Sequence, residues 1–162
     1  MLTDQYLYCN NGVYANNRLT FNVPKLTNER VPNVGICLAQ STINIKKGEI
    51  YHRGIIVKLE NPSLNYLSTD NKGSVLGMYQ KGPTDTTTTP DTDVHDLKIP
   101  SENITQLISP NQSQIILSFE GPSGVNITAT DWVAGAFLFK LYYPDQDQVV
   151  NQYSREIAKV RL

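Results

Sequence analysis

The stretch Trp132-Val133-Ala134-Gly135-Ala136-Phe137-Leu138-Phe139-Lys140-Leu141-Tyr142-Tyr143 decides the fold class. With a period of two, one face carries Trp132, Ala134, Ala136, Leu138, Lys140 and Tyr142. The other carries Val133, Gly135, Phe137, Phe139, Leu141 and Tyr143. Both faces are largely apolar and rich in aromatic side chains, which suit a pleated surface covered on both sides. The stretch therefore reads as a central β-strand. Pro144 ends it, because proline cannot donate to a sheet ladder.

Upstream, the pattern repeats. Ile115-Ile116-Leu117-Ser118-Phe119 reads as a strand, followed by the turn Gly121-Pro122-Ser123-Gly124 and the alternating Val125-Asn126-Ile127-Thr128. Leu97-Lys98-Ile99 and Ile104 to Ile108 are shorter candidates. Farther back lie Ser74 to Tyr79, Ile55-Ile56-Val57-Lys58-Leu59 and the long β-branched run Val34 to Ile45. Near the start, Tyr6 to Cys9 is a short strand, Asn10-Asn11-Gly12 a turn, and Leu19-Thr20-Phe21-Asn22-Val23 an alternating strand that stops at Pro24. Residues 80–93, Gln-Lys-Gly-Pro-Thr-Asp-Thr-Thr-Thr-Thr-Pro-Asp-Thr-Asp, form a polar low-complexity stretch expected to be a mobile surface loop. After Pro144 the period changes. Val149, Val150, Tyr153, Ile157 and Val160 recur at helical spacing, Asp145 or Asp147 can cap the start, and Arg155, Lys159 and Arg161 suit the C-terminal dipole. Residues 145–162 are thus expected to be a tail or a short amphipathic helix. With no strand–helix alternation, the expected architecture is all-β: an antiparallel β-sandwich or barrel of eight to ten strands.

Composition agrees. The 162 residues suit one domain; 40% are hydrophobic and only 18% are charged, below the usual quarter. The remainder is neutral and polar, with 15 Asn, 14 Thr, 10 Ser and 9 Gln, while Ala and Glu number 6 each against 13 Ile, 12 Val and 9 Tyr. That balance favours strands and turns over helix. A net charge of -1 gives no basic excess for phosphate neutralisation, so direct nucleic-acid binding is not expected. No run of apolar residues is long enough for a membrane-spanning helix, and no membrane insertion is expected. Met1-Leu2-Thr3-Asp4-Gln5 lacks the pattern of a secretory signal, which points to cytosolic synthesis. Cys9 and Cys37 allow one disulfide at most; their apolar surroundings read as two small buried thiols.

Few residues suggest chemistry. His52 and His95 belong to no HExxH or Cys–His cluster, and neither a GxSxG elbow nor a phosphate-binding glycine loop occurs. Asp85, Asp91, Asp93 and Asp96 read as a solvated acidic loop rather than a calcium site, because the glycine and distal Glu of a helix–loop–helix calcium motif are missing. The expectation is no catalytic residue, no cofactor and no metal. Tyr6, Tyr8, Tyr14, Tyr51, Tyr66 and Tyr79 could either fill the core and sheet edges or stack on a sugar ring; Trp132 reads as core.

The segments Ile104-Thr105-Gln106-Leu107-Ile108-Ser109-Pro110 through Ser118-Phe119-Glu120-Gly121-Pro122-Ser123-Gly124, Val125-Asn126-Ile127 and Phe137-Leu138-Phe139-Lys140-Leu141-Tyr142-Tyr143-Pro144 follow a definite order. Together with Ile43-Asn44-Ile45, Val57-Lys58-Leu59 and Val75 to Tyr79, this order resembles the single jelly-roll capsid and penton proteins of icosahedral double-stranded DNA viruses. The likeness covers about residues 34–144 and lies in strand pattern, not in a signature motif. It implies a single jelly roll of about eight strands in two packed sheets over residues 33–144, an N-terminal arm with short strands over residues 1–32, and the tail or helix at 145–162. It also implies a viral structural protein found in the virion and made in the host cytoplasm. Its partners would be itself, as trimer or pentamer, and other capsid proteins. Leu19 and Phe21 in the arm, and Val149, Tyr153 and Ile157 in the tail, are then the candidate oligomer contacts. The scarcity of Lys and Arg departs from a basic genome lining and favours a penton, vertex or minor capsid role. A carbohydrate-binding β-sandwich with a glycan partner, such as a phage receptor-binding or lectin-like module, is the alternative.

Overall fold

The computed structural model describes residues 5–27, 30–46, 48, 54–62, 74–87, 89, 91–98, 106–122 and 124–143. In chain order the strands are β1 (Gln5–Cys9), β2 (Val13–Ala15), β3 (Arg18–Asn22), β4 (Val34–Lys46), β5 (Ile55–Leu59), β6 (Ser74–Asp85), β7 (Thr92–Leu97), β8 (Gln106–Ile108), β9 (Gln114–Glu120) and β10 (Trp132–Tyr142). The described residues are all-β, and every pairing is antiparallel. One ten-stranded sheet runs β1-β10-β4-β7-β6-β5-β9-β3-β2, with β8 paired to β4 beside β7. It curls until its two halves face each other, giving a β-sandwich of jelly-roll-like character in which the layers are continuous.

β10 lies between β1 and β4, with a hydrogen-bonded neighbour on each edge, and only one of its two apolar faces enters the core. Its inner face is Phe137, Phe139 and Leu141; it packs with Ile36, Leu38, Ile43 and Ile45 of β4, Val57 and Leu59 of β5, Leu117 and Phe119 of β9, and Leu19 and Phe21 of β3. Each such side chain contributes about 1.5–3 kcal/mol by leaving water. A register irregularity between Trp132 and Ala134 turns Trp132 onto the inner side. There its ring stacks on Tyr14 at 4.8 Å and meets Phe119 at 5.0 Å. Gly135 leaves room for that ring: a Cβ there would lie 2.8 Å from Trp132 Cη2 and 2.9 Å from Phe137 Cε2.

The N-terminal strands belong to this sheet. β1 pairs with β10 and β3 with β9, at opposite ends of the strand path. Asn10-Asn11-Gly12, expected to be a turn, carries the chain from β1 at one end of the strand path to β2 at the other. The true hairpin lies between β2 and β3, where Asn16 and Asn17 adopt φ of 53° and 61°, the left-handed pair of a type I′ turn. The signal was present in the sequence as Asn-Asn, one of two such pairs.

The expected mobile loop at 80–93 is corrected. β6 continues through Asp85 and β7 starts at Thr92, with Thr84 opposite Asp93 and Asp85 opposite Thr92. Pro83 is accommodated at an irregularity between Lys81 and Thr84, where the ladder does not need its N–H. Only residues 86–91 remain between the strands. Val125 to Thr128, expected to be a strand, forms only a single bridge, Asn126 to Glu120. The tail or helix expected at 145–162 lies outside the described residues.

Candidate functional site

β1 has one described neighbour, β10, and its outward face is distinctive. Period-two alternation turns Leu7 and Cys9 inward and Tyr6 and Tyr8 outward, where they are 58% and 60% exposed. Tyr6 stands opposite Lys140, and Tyr8 opposite Leu138. Lys140 Nζ lies 4.9 Å from the centroid of the Tyr142 ring, a cation–π contact. The Cys37 thiol donates to the Tyr142 hydroxyl at 3.8 Å. Desolvation pushes the Tyr142 phenol above its ordinary range, against the opposing pull of Lys140. Tyr6, Tyr8, Leu138, Lys140 and Tyr142 thus form an aromatic outer face bordered by one cation. At one end, the Tyr143 hydroxyl sits 2.9 Å from Gln5 Oε1 and 2.7 Å from the Leu26 carbonyl, tying the strand ends together.

On the same outer surface, across β4 and β7, an open depression of about 410 Å³ is lined by residues including Gln40, Thr42, Asp96 and Lys98. Thr42 donates to Asp96 at 2.8 Å. The depression is polar and shallow, and no described aromatic ring lines it.

The acidic residues divide by location, which corrects their reading as one solvated loop. Asp85 and Asp96 face solvent: Asp85 accepts from both the backbone N–H and the hydroxyl of Thr87 at 2.8 and 2.5 Å, and these bonds hold its carboxyl below the usual range. Asp93 is 1% exposed, because β7 sets it beside Ile45 on the inner face. Its carboxylate accepts from Thr84 at 2.7 Å and lies 4.0 Å from Lys81 Nζ. His95, two residues on, is fully buried, with Nδ1 3.3 Å from the Asp93 carbonyl. A second buried ionic pair, Lys58 and Glu120, stands 3.1 Å apart on β5 and β9. Next to it Ser118 donates to Glu60, and Arg18 lies 3.9 Å from Glu60. These pairs pin strand register; among the described residues no three His, Cys, Asp or Glu side chains gather as a metal site.

Leu19 and Phe21, expected to touch neighbouring copies, are 2% and 3% exposed and belong to this chain's own core. The chain between β1 and β2 crosses above them: a Cβ on Gly12 would lie 2.5 Å from Leu19 Cδ1 and 2.7 Å from Phe21 Cε1. Val149, Tyr153 and Ile157 lie outside the described residues, as do His52, Tyr51 and Tyr66. Of the other tyrosines, Tyr79 is buried, and Tyr14 is half-buried with its hydroxyl donating to the Ile127 carbonyl at 2.6 Å. Tyr6 and Tyr8 alone of the six remain presented to solvent among the described residues. Their i, i+2 spacing beside the inward Leu7 and Cys9 was the signal that separates them. Cys9 and Cys37 are buried thiols that form no disulfide with each other.

No family model matches the chain, and no curated protein matches it significantly.

Proposed function

We propose that this chain is a non-enzymatic structural subunit of a virion, a jelly-roll-type capsid protein of penton, vertex or minor class. It would assemble laterally with copies of itself, as trimer or pentamer, and with other capsid proteins. The observation that carries this reading is the outer face of β1 and β10. Two exposed tyrosines stand side by side beside Leu138 and Tyr142, in a chain of which only 18% of the residues are charged. Tyrosine is enriched at the centres of interfaces, where it supplies large rigid contact area at small entropic cost, and charged residues are depleted there. The low charge suits many short-range contacts better than electrostatic steering.

Size-exclusion chromatography with light scattering, followed by electron microscopy of the purified chain, tests this reading. The expected result is a closed oligomer; a monomer at every accessible concentration overturns it. The same tyrosines favour a second reading, in which a sugar ring stacks on Tyr6 or Tyr8 and its hydroxyls meet polar neighbours. A glycan array discriminates, since specific binding abolished by Tyr8→Ala in a chain that stays monomeric would replace assembly by recognition.

A further inference from the structure

The two ends of the strand path are managed differently. β2 is three residues long, which limits what could pair with it. β1 is five residues, Gln5-Tyr6-Leu7-Tyr8-Cys9, with no charge, proline or bulge. Those are the devices by which sheet edges are normally blunted, and among the described residues no strand covers the outer edge of β1. Its sequence pattern is also symmetric about Leu7, with a tyrosine on each side.

We propose that β1 is a pairing edge for a second copy of this chain, meeting antiparallel about a two-fold axis at Leu7. The inference rests on the assembly reading and names a contact that joins one trimer or pentamer to the next, since a two-fold interface pairs two copies and cannot by itself close an odd-numbered ring. In this register Leu7 faces its own counterpart, Tyr6 faces the counterpart of Tyr8, and Gln5 faces the counterpart of Cys9. All five residues of each strand are paired. The sheet alternates antiparallel throughout, so the added strand continues its pattern. The side chains of each pair share a face, which places four tyrosines together on the outside, at the cross-strand separation where aromatic pairs attract. A second copy fits better than a charged partner because the strand is neutral: self-pairing brings no like charges together, and the two-fold makes one surface patch complementary to itself.

Disulfide trapping tests both the occupant and the register. Chains carrying Tyr6→Cys and chains carrying Tyr8→Cys are oxidised separately and as a mixture, with the unsubstituted chain as reference. Both positions are exposed, and circular dichroism checks that each variant keeps its fold. The expected result is a covalent dimer in the mixture and none in either variant alone. Like positions would stand two residues out of step, beyond the roughly 7 Å between Cα atoms that a disulfide spans. A dimer from either variant alone overturns the register. No dimer from a chain that still forms oligomers overturns the edge contact and leaves lateral assembly standing. A chain that is monomeric throughout overturns both. Tyr6→Glu combined with Tyr8→Glu is expected to abolish the two-fold contact by setting carboxylates opposite one another; an oligomer of unchanged mass counts against it.

Discussion

Tyr79 concentrates the logic of the interior in one side chain. It is fully buried, its ring lies 6.1 Å from Phe119, and its hydroxyl donates to Ser41 Oγ at 2.5 Å, while Ser41 donates onward to the Ala136 carbonyl at 2.8 Å. The ring is worth more than the hydroxyl. Tyr79→Phe removes one hydrogen bond and should cost about 1 kcal/mol, whereas Phe119→Ala empties a ring-sized space and should cost about 3–5 kcal/mol, both read from urea midpoints. Burial also holds the Tyr79 phenol far above its ordinary range and pushes the Cys9 thiol from 9.0 up to about 11. Both groups are neutral when folded and ionise more readily when unfolded. Their contribution is complete below pH 9 and is lost as pH rises through the folded value. The thermal midpoint should therefore fall between pH 9 and 11, less so in Cys9→Ser; a flat profile would show that burial does not hold these groups neutral.

Among elements, β10 shows what a period-two reading delivers and where it stops. Its limits and its central position were legible from a long apolar run that ends at a proline; which face turns inward was not, because both faces are apolar in sequence while only Phe137, Phe139 and Leu141 are buried. The irregularity after Trp132 was not, since one displaced residue leaves composition unchanged yet moves the indole to the other face. Gly135→Ala tests that arrangement. Its methyl would press on the Trp132 and Phe137 rings, and we expect a loss of about 1–3 kcal/mol together with an altered near-ultraviolet dichroism of the tryptophan. An unchanged spectrum would mean that the indole stands elsewhere. The β6–β7 hairpin was missed for the opposite reason: threonine favours strands as well as loops, and a run of it carries no apolar alternation. What orders the segment is the ladder itself, with the bond from Thr84 to the buried Asp93. Of the candidate site, Tyr6 and Tyr8 were named from sequence among six tyrosines; only the partner strand, with Lys140 and Leu138 alongside, distinguishes an outward pair from rings filling the core.

At the level of the molecule, the class was readable and the path was not. Turn spacing and the poverty of helix formers specify antiparallel strands, but strand order depends on which edges meet after long stretches of intervening chain. Leu19 and Phe21 show the consequence: as an isolated alternating strand they could face either a neighbour or a core, and only the pairing of β3 with β9, under the crossing at Gly12, places them inside.

The seat of β10 between β1 and β4 has a bearing on biosynthesis. Until Tyr142 has left the ribosome, a nascent chain holds β1 without its described neighbour and β4 with one side unfilled. The two pairings that β10 makes must wait for it, and both join segments far apart along the polypeptide, which is a slow route. During that interval the crowded company of other half-finished copies is the main hazard, and lower growth temperature or a holding chaperone is the natural remedy.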